Sequence, residues 1–541
     1  LLVAALVLAL FIYLIVLFSR NKHQQALTKN LIRINASEIE ALRGHVGNFE
    51  DGHEFEDHSH AFASDLELFG NQGLFQHINR TATYAGKNQL ASWLLNPLQQ
   101  EEAIKARQEA VQELRGLITW RQRFMATGYL LNPEAYQDAR LIAWSKEQPF
   151  IARNPFFRVF RWLLPVLTIT LAVFFFQGVL PLGYLLLVLV FNGVVLYRVN
   201  KRVTSQHNQV TQQVEILRNY TLIFRHIEKQ EFQSQALQSL KAHFFSNHEP
   251  ASRSIRKLSR ILDALDNRIS PILGVILNLV FLWDIHQVIR LEKWHKHHAP
   301  DIEQWIGAMG GFDAYISLAN FAYNHEDFQF PEVDPSVVLR ANYMGHPLIP
   351  TSKRVDNPLT IRQQGISIIV TGANMAGKST FLRTIGINLV LAMAGSVVCA
   401  GNMVFRITRL FTSMNITDSL AKNESYFYAE IVRLRQLTEH AMHHEHLLVL
   451  LDEILTGTNT KDKEKASKAF VNRLLQLKVT SIIATHDLSL TSLAEDHPGF
   501  IRNTRFEVEL EDGQMKFDYK LREGVARNMN ALALLREMGL I

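Results

Sequence analysis

A ten-residue stretch, TGANMAGKST at 371–380, has glycines, a lysine and hydroxyl residues at a spacing that suits phosphate binding. It fits the pattern G-x-x-x-x-G-K-[ST], in which the glycines let backbone N–H groups turn towards phosphate oxygens. The lysine of this pattern reaches the β- and γ-phosphates of a nucleotide, and the hydroxyl after it binds Mg²⁺. We therefore predict a nucleoside triphosphate site formed by Gly372, Ala373, Asn374, Met375, Ala376, Gly377, Lys378, Ser379 and Thr380.

Two acidic residues end a later aliphatic run, HLLVLLDEI at 446–454. A buried strand would deliver Asp452 and Glu453 together, and Asp452 would complete the coordination of Mg²⁺, directly or through water. Glu453 is the natural general base to orient and deprotonate an attacking water. A third run, VTSIIATHD, ends at His486, which we expect to sense the γ-phosphate. Together with the glycine-rich loop, these residues predict nucleotide hydrolysis.

The elements that must position these residues have an α/β pattern from about Gly365 onwards. ISIIV, LLVLL and TSIIA are each followed by polar residues and then by helical periodicity, which is typical of a mainly parallel sheet. The glycine-rich loop lies between ISIIV and the helical pattern FLRTIGINLVLAMAG, the context that phosphate binding requires. Two alternating runs around Asp512 and Gly513 predict a hairpin. Segments 85–145 and 200–295 read as mainly helical.

The composition is that of a globular protein, with 541 residues, of which 48% are hydrophobic and 20% charged. It excludes the disordered class. The net charge of +5 permits an anionic partner, nucleic acid or lipid, without requiring one. The one cysteine, Cys399, excludes an intrachain disulfide and a cysteine zinc cluster, which fits a reducing compartment.

Two apolar regions predict insertion into a membrane. Residues 1–18, LLVAALVLALFIYLIVLF, have no charge and would form a helix of about 27 Å, close to the hydrocarbon thickness of a bilayer. Residues 162–197 have no charge either, but one helix of that length would measure ~54 Å, too long for a single crossing. Because Gly178, Pro181 and Gly183 interrupt this second run, we predict a hairpin of two spans.

The basic residues that flank these regions predict the orientation. They follow the first region and lie on both sides of the second: Arg20, Lys22, Arg153, Arg158, Arg161, Arg198, Lys201 and Arg202. By the positive-inside rule, residues 19–161 and 198–541 are cytoplasmic, and Leu1 is on the opposite side, so we expect a further span before it. A third apolar stretch, 272–283, is short, and its length favours a buried helix over a span.

The motifs taken together resemble the ATPase domain of the MutS family of DNA mismatch-repair proteins. The resemblance rests on TGANMAGKSTFLRTIG, LLVLLDEILTGTNTKD and IIATHDLSL, in this order, and it extends to GHPLI, DNPLTI and residues 409–431. Residues 519–540 are similar to the dimerising helices of the family, whereas 65–115 and 312–333 resemble the start and end of its helical core. Nothing before residue 65 resembles the mismatch-recognition domain, so we expect a member that lacks it.

The resemblance implies a homodimeric ATPase that uses ATP and Mg²⁺ in composite sites and clamps DNA. Thr458, Asn459 and Thr460 would reach across the dimer into the other subunit's site, with Asn459 standing where the family usually has serine. Asn374 falls on the phosphate-loop asparagine of the family, near the expected position of the attacking water. Arg354 stands near the place of an aromatic residue that stacks on adenine, and a guanidinium can stack as well.

The predicted fold is an α/β P-loop ATPase domain, ABC-like with a mainly parallel sheet, after an all-α core interrupted by transmembrane helices. The expected segments are a transmembrane helix (1–18), a cytoplasmic helical segment that is core-like from about 65 (19–161), a transmembrane hairpin (162–197), a helical core or lever-like domain (198–335) and the ATPase domain (336–541).

The functional prediction is a multi-pass membrane ATPase, with its ATPase on the cytoplasmic side of a bacterial inner membrane, that drives a clamp-like change on DNA. One alternative is a tether for duplex or branched DNA without mismatch recognition. Another is a membrane machine that acts on no DNA, although the small number of spans argues against a translocation path. A scaffold with a decayed ATPase is disfavoured because Lys378, Ser379, Asp452 and Glu453 are intact.

Overall fold

The computed structural model describes residues 2–131, 135–147, 154–246, 248–266, 273–414, 426–455, 460–511 and 514–526. In chain order, its helices and strands are α1 (Leu2–Leu42), α2 (Leu74–Ile78), α3 (Tyr84–Leu95), α4 (Glu101–Gly116), α5 (Ile118–Tyr129), α6 (Ala135–Ser145), α7 (Pro155–Phe176), α8 (Leu182–Lys229), α9 (Gln235–Ala242), β1 (Phe245–Ser246), β2 (Glu249–Pro250), α10 (Ala251–Asp266), α11 (Leu273–Phe281), α12 (Trp283–Asn324), β3 (Glu332–Val333), β4 (Leu339–Met344), β5 (Asn357–Ile361), β6 (Ser367–Thr371), α13 (Lys378–Met393), β7 (Ala400–Gly401), β8 (Val404–Phe405), β9 (Arg409–Ser413), α14 (Tyr426–His443), β10 (Leu447–Asp452), α15 (Thr460–Gln476), β11 (Thr480–Thr485), α16 (Leu493–Asp496), β12 (Ile501–Glu511) and β13 (Gln514–Glu523).

The chain forms two compact units that are interleaved along the sequence. The first unit contains Leu1–Ile34, Thr81–Gln89 and Ile118–Ala314, and apart from the two-residue strands β1 and β2 its elements are helices. The second unit contains Asn35–Arg80, Leu90–Leu117 and Tyr315–Ile541, and it holds both larger sheets. The structure thus has a helical N-terminal region followed by mixed α/β sheets, as the sequence predicted.

The larger sheet of the second unit has six strands in the order β13-β12-β6-β11-β10-β9. All its neighbouring strands are parallel except β12 and β13, which pair antiparallel and confirm the predicted hairpin. Strands β6 and β11 are buried along their whole length, as expected for parallel strands covered on both faces. On one face, Leu437 of α14 and Leu474 of α15 pack with Val449, Leu451 and Ile483 of the strands. The mainly parallel sheet is therefore confirmed.

A second sheet in the same unit has the order β3-β8-β4-β5, and β7 pairs with β4. Its strand β4 leads into the GHPLI segment, where Gly345 approaches Arg354 and Asp356 so closely that a Cβ atom would clash with both. Asn388 of α13 donates from Nδ2 to the Gly345 carbonyl at 3.0 Å and accepts from Cys399 N at 2.8 Å. These contacts hold the GHPLI segment against α13.

Three helices among the described residues are long and apolar enough to cross a membrane. They are Leu2–Leu42, Pro155–Phe176 and Leu182–Val199, with mean hydropathies of 3.0, 2.0 and 2.0 in their most apolar windows. The second helix begins with Asn154, whose side chain accepts a hydrogen bond from Phe156 N at 2.9 Å and so caps the helix. A short turn at Gly178 joins α7 to α8, at the position predicted for the tip of the hairpin.

Helix α8 continues well beyond its apolar section, and α10 packs along this extension. Arg218 of α8 forms an ion pair with Asp263 of α10 at 3.0 Å, and Ser252 N donates to Glu228 Oε1 at 2.9 Å. Helix α10 is strongly amphipathic, with Ile255, Leu258 and other apolar residues buried on one face. These contacts fix the position of α10 along α8.

The stretch 272–283 was predicted to be a buried helix rather than a span, and its described part, which contains α11, is partly buried. In α11, Val275 and Ile276 are 54% and 51% exposed, and the helix packs against the hairpin helices α7 and α8. A bend of 80° separates α11 from α12. Asn192 of α8, which is fully buried, donates from Nδ2 to the Leu279 carbonyl at 2.8 Å and to Thr168 Oγ1 at 3.1 Å.

Candidate functional site

Three parallel strands bring the predicted chemical residues to one edge of the six-stranded sheet. Strand β11 lies between β6 and β10, with Thr485 opposite Thr371 and Ala484 opposite Asp452. The glycine-rich loop follows β6, Glu453 follows β10, and His486 follows β11. Because carboxyl ends of parallel strands meet at the same edge, residues far apart in the chain converge there.

The side chain of Lys378 bonds to the backbone of the glycine-rich loop. Lys378 is 6% exposed, and its Nζ donates to the carbonyls of Gly372 at 2.9 Å and Ala373 at 3.1 Å. Gly377 caps α13 with φ of 99°, a left-handed conformation that glycine adopts without strain. Met375 has φ of 67°, a backbone conformation that residues other than glycine rarely adopt. Backbone strain of this kind clusters at functional sites. The loop thus combines a buried lysine with left-handed backbone at Met375 and Gly377, directly before the N-terminus of α13.

Asp452 lies at the end of β10 beside Ser379. Burial raises the pKa of the Asp452 carboxyl above its usual range, while the Ser379 hydroxyl and Lys378 oppose the shift. Asp452 Oδ1 is buried and accepts no hydrogen bond from the described residues. A buried carboxylate oxygen without a donor, next to a hydroxyl, is the kind of oxygen set that Mg²⁺ prefers. Ser379 and Asp452 thus supply oxygen atoms that would suit a magnesium ion, and their role as its ligands stays a prediction.

Glu453 occupies the centre of the site. Its Oε1 lies 3.8 Å from Lys378 Nζ, and its Oε2 contacts His486 Nδ1. The residue has φ of 53°, an uncommon conformation that re-aims its side chain after the strand ends. Burial lowers the pKa of Lys378, and the Glu453 and Asp452 carboxylates oppose the shift. The arrangement brings together a cation for phosphate and a carboxylate with a histidine partner.

A cavity of 680 Å³ opens next to these groups. Of the predicted residues, its lining includes Asn374, Met375, Gly377, Lys378, Ser379, Thr380, Asp452 and Glu453. Gly372 and Ala373 contribute the carbonyls that hold Lys378, Ala376 is buried within the loop, and His486 adjoins the cavity through Glu453. The volume is in the range of small-molecule and cofactor sites, about 300–1,000 Å³.

The lining includes residues outside the predicted set of site residues, among them Tyr519, Asn357 and His346, of which the last two lie in the DNPLTI and GHPLI segments. Tyr519 of β13 is 43% exposed with φ of 54°, and a Cβ on Gly377 would lie 3.1 Å from its ring. Asn357 of β5 holds this strand, because its Nδ2 donates to the Tyr519 carbonyl at 3.0 Å. His346 also lines the cavity, and burial, with the charge of Arg383, lowers its pKa to about 4, so it is neutral at pH 7. An exposed aromatic residue in a predicted hairpin was the one available signal for Tyr519.

Arg354 lines the cavity but is not free to stack on a base. Its Nε bonds to Asp356 Oδ1 at 2.8 Å, and its terminal nitrogen bonds to Asp327 Oδ2 at 3.1 Å. The guanidinium lies 5.6 Å from the ring centroid of Phe328, and the side chain is 8% exposed. The predicted stacking role of Arg354 therefore conflicts with its contacts, and Tyr519 offers the more accessible ring.

The predicted contact across a dimer lies mostly outside the described residues. Thr458 and Asn459 are not among them, and Thr460 is described only as the first residue of α15. Of the dimerising helices predicted at 519–540, residues 519–523 lie instead in β13, because this segment pairs with β12, and residues after 526 lie outside the described part of the chain. The contact across a dimer and the helices after residue 526 stay predictions.

Two family models match the chain. A model of MutS domain V matches residues 368–540, and a model of MutS domain III matches residues 63–132. Domain V is the ATPase domain of this family, and its match contains the glycine-rich loop, Asp452, Glu453 and His486. The two matches support a MutS-family protein with an ATPase domain related to mismatch repair.

Proposed function

We propose that the chain is a Mg²⁺-dependent ATPase that is anchored in a membrane and uses ATP to drive a clamp-like conformational change. The observation that carries the ATPase proposal is the convergence of Lys378, Asp452 and Glu453 beside one cavity at the edge of a parallel sheet. This is the arrangement that phosphoryl transfer requires, a cation on the phosphates with acids for the metal and the water.

Each group has a distinct part in hydrolysis. Lys378 neutralises charge on the β- and γ-phosphates, where loop N–H groups also converge. Glu453 orients a water for attack on the γ-phosphorus and accepts its proton. His486, in contact with Glu453, would stabilise the proton-accepting carboxylate and sense the γ-phosphate, and Asn374, which lines the cavity, would contact the attacking water. Mg²⁺ bound by Ser379 and Asp452 would neutralise charge that develops on the phosphate oxygens.

Tyr519 is proposed as the wall against which the adenine ring stacks. We expect Tyr519→Ala to raise KM for ATP about tenfold with little change in kcat, because stacking of a base on an aromatic ring contributes ~1–3 kcal/mol. Tyr519→Phe keeps the ring and is expected to behave like the parent. Steady-state kinetics over a range of ATP concentrations measures both effects. Equal KM values for the alanine variant and the parent would contradict the stacking role.

The membrane part of the proposal rests on α1, α7 and the first part of α8. In this proposal both flanks of the hairpin, with their basic residues, lie on one side of the membrane, and this side is cytoplasmic by the positive-inside rule. The family match supports ATP and DNA interaction and dimer formation. We propose that the chain forms a homodimer in a bacterial inner membrane and clamps DNA. This function does not require the homodimer to recognise mismatches.

The direct test is ATP turnover by the purified full chain in detergent with Mg²⁺, compared with a variant that lacks the proposed base, Glu453. Turnover that needs Mg²⁺ and disappears in that variant supports the proposal. ATP turnover that survives in the variant would contradict the proposal, because it would come from another enzyme or from a mechanism without Glu453.

A basic stripe on α10 favours nucleic acid as the partner. We define it as the exposed residues Arg253, Arg256, Lys257 and Arg260, which line a shallow cavity of 510 Å³. Lys257 pairs with Glu249 at 2.7 Å. Within the described part of the chain, the three arginines make no ion pair or hydrogen bond, so their charge is available to an outside anion.

The position of the stripe along α8 separates it from the bilayer. Its neighbours on α8 are Arg218, which bonds to Asp263, and Glu228, which bonds to Ser252. At ~1.5 Å per residue, these positions lie about 28 and 43 Å beyond the end of the apolar section at Val199. The electrostatic influence of a membrane surface decays over ~8 Å at physiological salt. With the apolar section of α8 in the bilayer, the stripe would lie beyond this influence along the helix, and a dissolved polyanion with regularly spaced phosphates fits it.

Duplex DNA binding at several salt concentrations tests this role of α10. The variant Arg253→Gln/Arg256→Gln/Arg260→Gln is expected to lower the dependence of log Kd on log salt by up to about 3, because each phosphate contact contributes ~0.9. A matched variant in which Lys293 and Lys296, exposed on α12, are changed to Gln should keep the slope of the parent. An unchanged slope in the α10 variant, with the parent's melting temperature, would exclude the stripe as the DNA contact.

A further inference from the structure

A second basic cavity lies at the start of the membrane hairpin. It has a volume of 920 Å³ and is formed by the end of α6, the first turns of α7 and the middle of α12. Its lining contains five lysine and arginine side chains and one carboxylate, namely Lys146, Arg158, Arg161, Lys293, Lys296 and Glu147. It also contains His295, whose Nε2 is 2.8 Å from the Trp144 carbonyl. The nucleotide site uses none of these residues.

The positive charge of this cavity is poorly compensated. Lys146 lies 4.0 Å from Glu303, but both side chains are more than 60% exposed, at 67% and 63%, and such pairs are weak. Arg158, Lys293 and Lys296 make no ion pair or hydrogen bond with other described residues. Arg161 Nε is buried and has no hydrogen-bond acceptor in the described part of the chain. A buried guanidinium nitrogen without an acceptor is costly unless an anion completes the site.

The cavity lies at the level where α7 becomes apolar. Arg161 directly precedes Trp162, the exposed aromatic residue that begins the apolar run, and aromatic residues are typical of the membrane interface. His286 of α12 lies at the same level, because its Nε2 is 2.8 Å from the Arg161 carbonyl and its ring is 4.8 Å from that of Trp162. Lys293 and Lys296 then lie about 10 and 15 Å further along α12, at ~1.5 Å per residue. This depth matches the headgroup layer and its adjacent electrostatic field.

We propose that this juxtamembrane cavity binds the phosphodiester headgroup of an anionic phospholipid. The proposal rests on membrane insertion of α7 and α8 and is independent of DNA and of ATP hydrolysis. Arg161 supplies the buried donor for a phosphate oxygen, since a guanidinium suits this geometry, and the lysines of α12 supply charge at the rim. Because α6, α7 and α12 all contribute, a bound headgroup would tie the helical unit to the membrane beyond what apolar burial provides.

The basic stripe on α10 provides a matched control for this site. It has a similar number of cations on a helix surface, but it lies tens of ångströms from the apolar section along α8. Charge alone would predict equal effects of the two clusters on lipid binding. The proposal predicts an effect of the juxtamembrane cluster only.

The experiment uses the full chain in neutral detergent, titrated with phosphatidylglycerol, phosphatidylcholine or soluble glycerol phosphate, and follows binding by the shift in melting temperature. We expect phosphatidylglycerol alone to stabilise the parent. Lys293→Gln/Lys296→Gln should weaken this binding about 30-fold, as expected for two lysines near an anionic headgroup. Arg253→Gln/Arg256→Gln on α10 should bind phosphatidylglycerol like the parent. Arg161→Gln serves as a second variant, since it removes the guanidinium with its buried Nε, and it should also weaken the binding of phosphatidylglycerol.

Each other outcome overturns the proposal or part of it. Equal stabilisation by both lipids, or an equal loss in the α10 variant, would exclude a headgroup site. Equal binding of glycerol phosphate would identify the ligand as free phosphate rather than lipid. Flotation with phosphatidylcholine vesicles separates this failure from that of the membrane anchor: a chain that floats without a response to phosphatidylglycerol lacks only the headgroup site, whereas a chain that does not float lacks the anchor.

Discussion

Replacement of Glu453 by Gln is expected to reduce the kcat of ATP hydrolysis by about 10²–10⁴-fold, the usual contribution of a general base. The amide keeps the size of the side chain but cannot accept the proton of the attacking water. ATP binding should be retained or slightly tighter, because the change removes a negative charge that lies 3.8 Å from Lys378 Nζ, close to the expected phosphates. Phosphate release and equilibrium binding of a fluorescent nucleotide measure the two effects separately.

A matched control for this variant is Glu439→Gln on α14, whose side chain is 55% exposed and pairs with Arg435 on the helix surface. It removes the same charge without touching the cavity and is expected to hydrolyse ATP like the parent. A Glu453→Gln protein with the kcat of the parent would show that the proton is accepted elsewhere. A protein that neither binds nor hydrolyses ATP would indicate a structural role for Glu453.

Replacement of Lys378 by Ala is expected to weaken ATP binding by about 100-fold or more, corresponding to ~3 kcal/mol for the removal of one partner of a buried charge pair. Lys378 is buried between the loop carbonyls and the two carboxylates, so its loss leaves Asp452 and Glu453 without a compensating cation. The pKa of Asp452, already raised by burial, should rise further because Lys378 opposes that shift. Nucleotide binding in the presence of Mg²⁺ should therefore need a higher pH.

Equilibrium nucleotide binding as a function of pH measures both parts of this expectation. The control is Lys105→Ala, which removes a lysine whose side chain is 58% exposed and pairs with Glu101 on the surface of α4. Because this pair is exposed and alanine favours helices, the affinity of the Lys105→Ala variant for ATP and its melting temperature should match those of the parent. Parent-like affinity in Lys378→Ala would contradict the assignment of the glycine-rich loop as the phosphate site.

Several features of the molecule could be predicted because they depend on neighbours in the chain. The spacing of Gly372, Gly377, Lys378 and Ser379 defines a loop between a strand and a helix, and the structure has that loop between β6 and α13. Asp452 and His486 end aliphatic runs, and parallel pairing alone brings the ends of such runs to one edge. The apolar runs near residues 1–18 and 162–197 are long, uncharged and bounded by basic residues, which is a local property of the sequence.

Other features depend on contacts between distant segments. The guanidinium of Arg354 could stack on a base by its chemistry, but Asp327, 27 residues earlier in the chain, pairs with it. Tyr519 reaches the glycine-rich loop only because β13 joins the sheet through β12, the neighbour of β6. The length of α11 favoured burial, whereas its packing against α7 and α8 leaves Val275 and Ile276 exposed.

The sequence by itself determined the glycine-rich loop between β6 and α13, the acidic pair at the end of β10, the parallel order of alternating strands and helices, and the apolar helices. These follow from periodicity and spacing within some tens of residues, where local backbone preferences and burial patterns act. Only the tertiary structure decided which side chains share a cavity: Tyr519 with Gly377, and the cations of α6, α7 and α12 with one another. The physical reason is that charged and aromatic side chains form a binding site only when they lie close together in space. Packing between distant segments brings them together, whatever their spacing along the chain.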